Sequence, residues 1–178
     1  SLIDEVIEQG RQVIVMVPEI SLTPQMMAIF KGRYGSEVAI FHSALSAGER
    51  RDEYKRVREG AVKIAVGTRS AVFAPFSNLG LIVIDEEQEH TYKSDTDPKY
   101  HARDIARFRC ARENALMLLC SATPSVESFY KAQRGQYELL TLKNRYGGAK
   151  LPEVVICDMR DELRGGNTSP FSRELLTT

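Results

Sequence analysis

A short apolar run that passes directly into carboxylates limits the architecture of this chain more than any other stretch. Residues 79–84 read LGLIVI, and the next four residues are DEEQ. An uninterrupted run of branched apolar residues is typical of a strand buried on both faces, and such strands belong to parallel sheets covered by helices. Ligands of open α/β sheets bind beyond the carboxyl ends of the strands, which is where this run places Asp85 and Glu86.

The acidic cluster after this strand has two interpretations. Two adjacent carboxylates at a strand end suit nucleotide hydrolysis, because one can hold a hydrated Mg²⁺ ion while the other polarises an attacking water. Alternatively, Asp85 caps a helix, and Glu86 and Glu87 lie in its first turn, where the helix dipole favours negative charge. The acidic residues alone leave both interpretations open, and the choice between them depends on the residues of the neighbouring segments.

Charge and cysteine content exclude several classes of protein. The 178-residue chain has 24 basic and 24 acidic residues, so no overall field attracts it to nucleic acid or to a membrane, and any nucleic-acid contact must be local. Its three cysteines form no C-x-x-C pair, which argues against a zinc site and a disulfide framework. No run is long and apolar enough to span a bilayer, no signal sequence is visible, and we expect a cytoplasmic protein.

Strand and helix patterns alternate along the chain. Apolar runs predict strands at residues 12–17, 38–41, 62–66, 79–84, 115–120 and 154–158. Capping residues, apolar periodicity and terminal glycines predict helices at residues 2–10, 23–35, 46–60, 102–113 and 125–135. Repeated strand–helix units of this length predict an α/β fold with a parallel sheet and right-handed crossovers.

Four of the predicted strand ends carry unusual polar residues. The segments are PEISLTPQ after residue 17, GTRSA after residue 66, DEEQ after residue 84 and SATPS after residue 120. Hydroxyls and backbone N–H groups at helix starts are natural partners for phosphates. Any one segment could simply cap a helix or form an ion pair, but four of them on one edge of a sheet predict a ligand site.

Together these segments resemble a known family. VPEISLTPQ, VGTRSAVFAP, DEEQ and SATPS are similar, in order and approximate spacing, to motifs Ia, Ib, II and III of superfamily 2 helicases. Residues 85–104, DEEQEHTYKSDTDPKYHARD, resemble the PriA family of bacterial replication-restart helicases more specifically, and the similarity covers nearly the whole chain. The resemblance implies a RecA-like (P-loop NTPase type) parallel sheet with helices on both faces, which is the first motor lobe of an ATP-dependent 3′-to-5′ DNA helicase.

The resemblance also implies roles for the residues of motifs II and III. Asp85 would coordinate Mg²⁺ through water, and Glu86 would orient the hydrolytic water. The whole catalytic motif is Asp85, Glu86, Glu87 and Gln88. The residues that would couple hydrolysis to lobe movement are Ser121, Ala122 and Thr123.

DNA contacts are expected from motifs Ia and Ib and from an aromatic-rich loop at residues 89–103. Aromatic rings interleaved with cations suit a single strand, because bases stack on the rings while cations hold the phosphates. The expected DNA-facing residues are Thr23, Gln25, Thr68, Arg69, Tyr92, Lys93, Tyr100, His101 and Arg103. By family resemblance the partners are single-stranded and forked DNA, other primosome proteins and single-strand-binding protein, and the cofactors are ATP and Mg²⁺.

The chain departs from the family pattern in two ways. Gln88 stands where the family has histidine; its amide can still bridge to motif III, but it cannot titrate. The sequence also contains no G-x-x-x-x-G-K-S/T phosphate loop, which in the family directly precedes the helix beginning at Leu2. We therefore expect residues 1–143 to be a lobe truncated before that loop and residues 144–178 to be a linker and the start of the connection to a second lobe. Zinc is expected only outside this sequence.

Three alternatives remain open from the sequence. The chain could belong to another superfamily 2 motor, such as a branched-DNA translocase or a restriction subunit, although the aromatic segment after motif II argues against this. The missing phosphate loop favours a non-catalytic nucleic-acid-binding or protein-interaction module. An unrelated nucleotide-binding α/β enzyme would predict neither GTRSA nor SATPS.

Overall fold

The computed structural model describes residues 1–143 and 154–177, and its strands form one parallel sheet. The sheet has the order β2-β3-β1-β4-β5, and every neighbouring pair is parallel. The strands are β1 (Gln12–Met16), β2 (Val38–Phe41), β3 (Ile64–Gly67), β4 (Leu79–Ile84) and β5 (Leu116–Leu119). The predicted parallel α/β sheet is confirmed.

The described part of the chain contains seven α-helices. They are α1 (Leu2–Glu8), α2 (Pro24–Tyr34), α3 (Ala47–Arg58), α4 (Ala102–Glu113), α5 (Val126–Gln133), α6 (Met159–Arg164) and α7 (Arg173–Thr177). Their starts follow the predicted caps: the Thr23 hydroxyl accepts the Met26 N–H at 3.2 Å, and Ser46 and Glu49 form a reciprocal capping box. Short 3-10 turns at Arg69–Phe73 and His90–Tyr92 were not predicted.

Two apolar clusters cover opposite faces of the sheet. Successive strand side chains point to opposite faces, so Ile14 and Met16 lie in the cluster that also holds residues of α3 and α4. Val13 and Val15 lie in the other cluster, against which residues of α1 and α2 pack. The predicted placement of helices on both faces is confirmed, and the central strands are buried on both sides.

The chain divides into two compact units, Ser1–Glu138 and Leu139–Thr178. In the second unit the predicted strand at 154–158 is wrong: residues 154–157 form no regular element, and Asp158 instead caps α6 by accepting the Arg160 N–H at 2.9 Å. The three apolar residues of that run are exposed, because no strand in the described chain pairs with them. The predicted linker at 144–150 lies outside the described residues, and the lobe boundary at 143 stays a prediction. Within the described chain, no helix is long and apolar enough to cross a membrane.

Candidate active site

The four polar segments that follow β1, β3, β4 and β5 lie along one edge of the sheet, as predicted. All strands are parallel, and Met16, Gly67, Ile84 and Leu119 are in register at that edge. The backbone after β4 is bonded to both neighbouring strands: the Asp85 N–H donates to the Met16 carbonyl at 2.9 Å, and the Glu87 N–H to the Cys120 carbonyl at 3.0 Å. Residues 85–88 are therefore held between the segments after β1 and β5.

Glu86 has a left-handed backbone at the centre of this site. Its φ is +46°, a backbone conformation that residues other than glycine adopt uncommonly. Such a conformation persists only where the surrounding structure imposes it. The Glu86 N–H donates to Asp85 Oδ1 at 3.1 Å, and both side chains are half-buried. The alternative in which Asp85 caps a helix is excluded, because no helix begins there. The turn instead presents two adjacent carboxylates at the strand end.

Gln88 joins this turn to the segment after β5. Its Nε2 donates to Glu86 Oε2 at 2.7 Å, and its Oε1 accepts the Ser121 hydroxyl at 2.6 Å. The predicted bridge through the glutamine amide is confirmed. A neutral amide keeps both hydrogen bonds across the pH range in which a histidine would titrate.

Glu87 is the buried anchor of the same turn. Its side chain is only 1% exposed, and its carboxylate accepts the Ser125 N–H at 2.6 Å, the Ser125 hydroxyl at 3.1 Å, the Ser128 hydroxyl at 2.9 Å and an N–H of Arg103 Nη1 at 2.9 Å. Burial raises the pKa of Glu87, but these donors outweigh it and hold that pKa below its ordinary value. The predicted catalytic role of Glu87 is therefore corrected: protein donors fully occupy its carboxylate, which leaves it a positioning role.

The predicted DNA contact of Tyr92 is wrong because the side chain is buried, while that of Arg103 stays a prediction. Arg103 Nη1 donates to Glu87, Ser125 and Ser128, and the side chain is only 16% exposed. Tyr92 is 1% exposed, and its hydroxyl donates to the Asp85 carbonyl at 2.7 Å. Burial, followed by nearby carboxylates, raises the pKa of Tyr92. Tyr92 therefore offers no free surface to a base or a phosphate, and both side chains hold the turn after β4, Arg103 through its Nη1.

An aromatic and cationic surface lies beside the site. Arg69 donates to the carbonyls of Thr91 and Lys93, and its guanidinium carbon lies 5.9 Å from the centre of the Tyr100 ring. The Tyr100 ring meets the Phe73 ring edge-on at 5.2 Å, and Phe73 is exposed. We call Arg69, Phe73 and Tyr100 the aromatic patch. Phe73 is not among the predicted DNA-facing residues, although its position in VGTRSAVFAP could have indicated it.

The remaining predicted residues are placed but their roles are untested. His101 caps α4, since its Nδ1 accepts the Arg103 N–H at 3.2 Å; burial, then the charge of Arg103, lowers the pKa of His101. Gln25 and Lys93 are exposed at the site edge, and Thr68 is half-buried at the start of a 3-10 turn. Thr23, Gln25, Thr68 and Lys93 stay predictions as DNA contacts. Ala122 and Thr123 are exposed, and their coupling role also stays a prediction.

The donor set at Asp85 fits the predicted metal. The described residues contain no group of three or more His, Cys, Asp or Glu side chains that could hold a metal ion by themselves. Mg²⁺ in nucleotide sites is typically bound by one or two carboxylates, and its other ligands are waters and substrate phosphates. Asp85 at the open edge of the sheet is suited to such a site.

Comparison with known proteins agrees with this geometry. The family model for DEAD/DEAH box helicases matches residues 1–131. The Replication restart protein PriA of Bacillus subtilis (strain 168) is 52% identical over 174 residues, which is 98% of this chain and 22% of the relative. The corresponding proteins of Synechocystis sp. and Rickettsia felis are 45% and 41% identical, over 95% and 94% of this chain and 21% and 26% of their own lengths.

These relatives confirm the resemblance to the PriA family that the motif segments indicated. The chain spans only 21–26% of the length of the three relatives, so what the relatives do as whole proteins is not transferred to it directly. The family model, in contrast, covers most of the chain, including all four motif segments. On that match, the chain belongs to the DEAD/DEAH box helicase family.

Proposed function

We propose that this chain forms part of the first motor lobe of an ATP-dependent 3′-to-5′ DNA helicase that acts in replication restart and primosome assembly. The observation that supports this most is the pair of hydrogen bonds through which the Gln88 amide joins Glu86 to Ser121. This line of hydrogen bonds connects the carboxylates after β4 to the segment after β5. A motor has to connect the hydrolysis step to a movement elsewhere in the protein. This line provides a direct connection through one amide.

In this proposal, Asp85 would hold Mg²⁺ through water, and Glu86 would orient the hydrolytic water. Mg²⁺ held there would supply positive charge to the phosphates of the nucleotide. The left-handed turn at Glu86 and the buried anchor at Glu87 keep the hydrolytic carboxylate in place before substrate arrives. Gln88 then transmits a change at Glu86 to Ser121.

The proposed polymer substrate is single-stranded or forked DNA. The net charge of the chain is zero, so attraction to DNA has to come from local surfaces, and the aromatic patch suits stacked bases and phosphates. The similarity to replication restart proteins supports primosome proteins and single-strand-binding protein as partners, and a cytoplasmic location.

A second candidate is a non-catalytic nucleic-acid-binding module that keeps the sheet. One observation favours it: the sequence has no G-x-x-x-x-G-K-S/T loop to anchor the phosphates of a nucleotide. The two candidates differ in what they expect of Glu86, because only a hydrolase needs its charge.

The test is the substitution Glu86→Gln in the longer protein that the proposal implies. Loss of the water-orienting carboxylate should lower DNA-stimulated ATP hydrolysis by roughly 100-fold or more, while nucleotide binding survives through Asp85. Glu8→Gln is the matched control, since Glu8 is an exposed carboxylate at the end of α1, which lies near the start of β4 and not near this turn. Hydrolysis at the wild-type rate in Glu86→Gln would show that this turn is not a hydrolytic site and would favour the binding module.

A further inference from the structure

A groove on the outside of helix α3 is lined by cations that the proposed hydrolytic site does not use. The cavity holds about 490 Å³ and is lined by Arg51, Tyr54, Lys55, Arg58 and Pro75. None of the lining residues is acidic. The groove lies between α3 and the chain that follows the 3-10 turn Arg69–Phe73.

Helical spacing places the three cations in a row. Arg51, Lys55 and Arg58 are four and three residues apart, so they share one face of α3. A rise of 1.5 Å per residue separates them along the helix axis by about 6 Å and about 4.5 Å. The row therefore presents a line of positive charge rather than a single point.

The groove cations differ from another cation of the same helix in their partners. Arg56 points elsewhere, binds both carboxylate oxygens of Glu53 at 2.9 Å and donates to the Ser36 carbonyl. Arg51 and Arg58 have no carboxylate partner among the described residues. Lys55 has only an exposed 3.8 Å contact with Glu59, and such pairs stabilise little. The helix thus pairs Arg56 and leaves the groove cations available to a ligand.

Tyr54 of the groove packs against the core, and the groove lies near the aromatic patch. Tyr54 is half-buried, and the centre of its ring lies 4.9 Å from that of the core residue Phe41. Burial raises the pKa of Tyr54, so its phenol stays neutral beside the cations. Pro75, on the other wall, is two residues from Phe73 of the aromatic patch. Tyr54 of the groove and Tyr100 of the patch pack against the same apolar cluster and are close enough to act on each other electrostatically, so the groove lies beside the patch.

We propose that the groove of Arg51, Lys55 and Arg58 over Tyr54 binds the backbone phosphates of a nucleic-acid strand, as an extension of the aromatic patch. A row of cations matches a polyanion whose charges repeat, and the neighbouring aromatic rings favour nucleic acid over an acidic peptide. The proposal rests on the proposed function only for the identity of the strand as DNA. It involves neither ATP nor the carboxylates after β4.

The test is the salt dependence of DNA binding by the triple variant Arg51→Gln, Lys55→Gln, Arg58→Gln of the full-length protein, without nucleotide. Fluorescence anisotropy with a labelled single-stranded oligothymidylate gives the affinity at several salt concentrations. Each phosphate contact contributes about 0.7 to the slope of log affinity against log salt concentration, so the slope should fall by about 2. The affinity at low salt should fall with it.

The matched control is Lys31→Gln, Arg107→Gln, Arg112→Gln, which removes the same charge from exposed cations outside the groove. Its slope should equal that of the wild type. Equal slopes in the two triple variants would overturn the proposal. Labelled poly-glutamate in the same assay tests the acidic-peptide alternative. A groove variant that loses affinity for poly-glutamate but keeps its DNA slope would also overturn the proposal. Should the triple variant unfold, Arg51→Gln and Arg58→Gln alone should each lower the slope by about 0.7. Binding is read without hydrolysis, so failure here is distinct from failure of the Glu86→Gln test.

Discussion

Two neighbouring segments at the same sheet edge are held in opposite ways. Residues 85–88, after β4, are bonded to the chain after β5 and to the start of α4 through Glu87, Gln88 and Arg103. Residues 18–25, after β1, are bonded mainly within themselves: the Ser21 N–H donates to the Pro18 carbonyl, and Thr23 caps its own helix. Ile20 in this segment is 87% exposed.

The difference indicates what each segment is built to do. A hydrolytic group has to be held close to its working geometry, and long-range buried hydrogen bonds provide this. A segment that meets a long polymer needs accessible side chains more than fixed ones. We therefore expect substitutions after β4 to affect stability strongly, and substitutions after β1 to affect ligand binding while stability changes little.

The largest effect is expected from Glu87→Gln. Removal of one partner from a buried ion pair such as Arg103–Glu87 lowers the free energy of unfolding by about 3–5 kcal/mol, because the other charge is left uncompensated. The measurement is urea unfolding of the chain. Glu113→Gln is the control, since Glu113 pairs with Arg109 on the same helix as Arg103 but is more exposed and does not touch the turn. An equal loss of unfolding free energy in both variants would show that the Glu87 network does not stabilise the chain more than an ordinary ion pair on α4 does.

The same variant has an expected pH dependence. The pKa of Glu87 in the folded chain lies below its ordinary 4.5. A carboxylate with a depressed folded pKa contributes stability above the unfolded value and loses it as the pH falls through the folded value. The stability difference between wild type and Glu87→Gln should therefore be complete above pH 4.5 and should shrink below it. A difference that grows on acidification would contradict the assigned network.

Local patterns in the sequence were sufficient for most of the fold. The predicted bounds of β2, β4 and α4 agree with the structure, because apolar runs, caps and terminal residues act within a few positions of each other. The line from Gln88 to Ser121 was also predicted, from the family motifs and the hydrogen-bonding capacity of an amide.

The orientation of the residues around the turn could not be predicted. Glu87 meets Ser128 across 41 sequence positions, and no local pattern reports such a contact. Tyr92 lies in a segment whose composition is polar, yet its ring fills the core against the sheet. The run at 154–158 shows the converse error, since an apolar pattern forms a strand only where a partner strand is available.

A smaller effect is expected from Tyr92→Phe. The substitution keeps the buried ring but leaves the Asp85 carbonyl without the donor that now reaches it at 2.7 Å. An unsatisfied buried acceptor costs about 1–3 kcal/mol, and loosening of the turn should also lower hydrolysis in the longer protein. Tyr54→Phe is the control, because the Tyr54 hydroxyl has no hydrogen-bond partner among the described residues. If the two variants unfold alike, the hydroxyl of Tyr92 does not hold the turn.

The smallest effect on stability is expected after β1, from Gln25→Ala. Gln25 is exposed in the first turn of α2, and its side chain has no hydrogen bond within the described chain, so the unfolding free energy should change by less than about 0.5 kcal/mol. If the amide contacts DNA as the family resemblance implies, single-strand affinity should nevertheless fall by about 0.5–1.5 kcal/mol, the net value of one hydrogen bond. Calorimetric melting and anisotropy at one salt concentration separate the two effects. Ala28→Ser, an exposed position one turn further along α2, is the control, and it should leave the affinity unchanged. A Gln25→Ala variant that lost stability without losing affinity would mean that the segment after β1 is structural, and the contrast with the segment after β4 would then disappear.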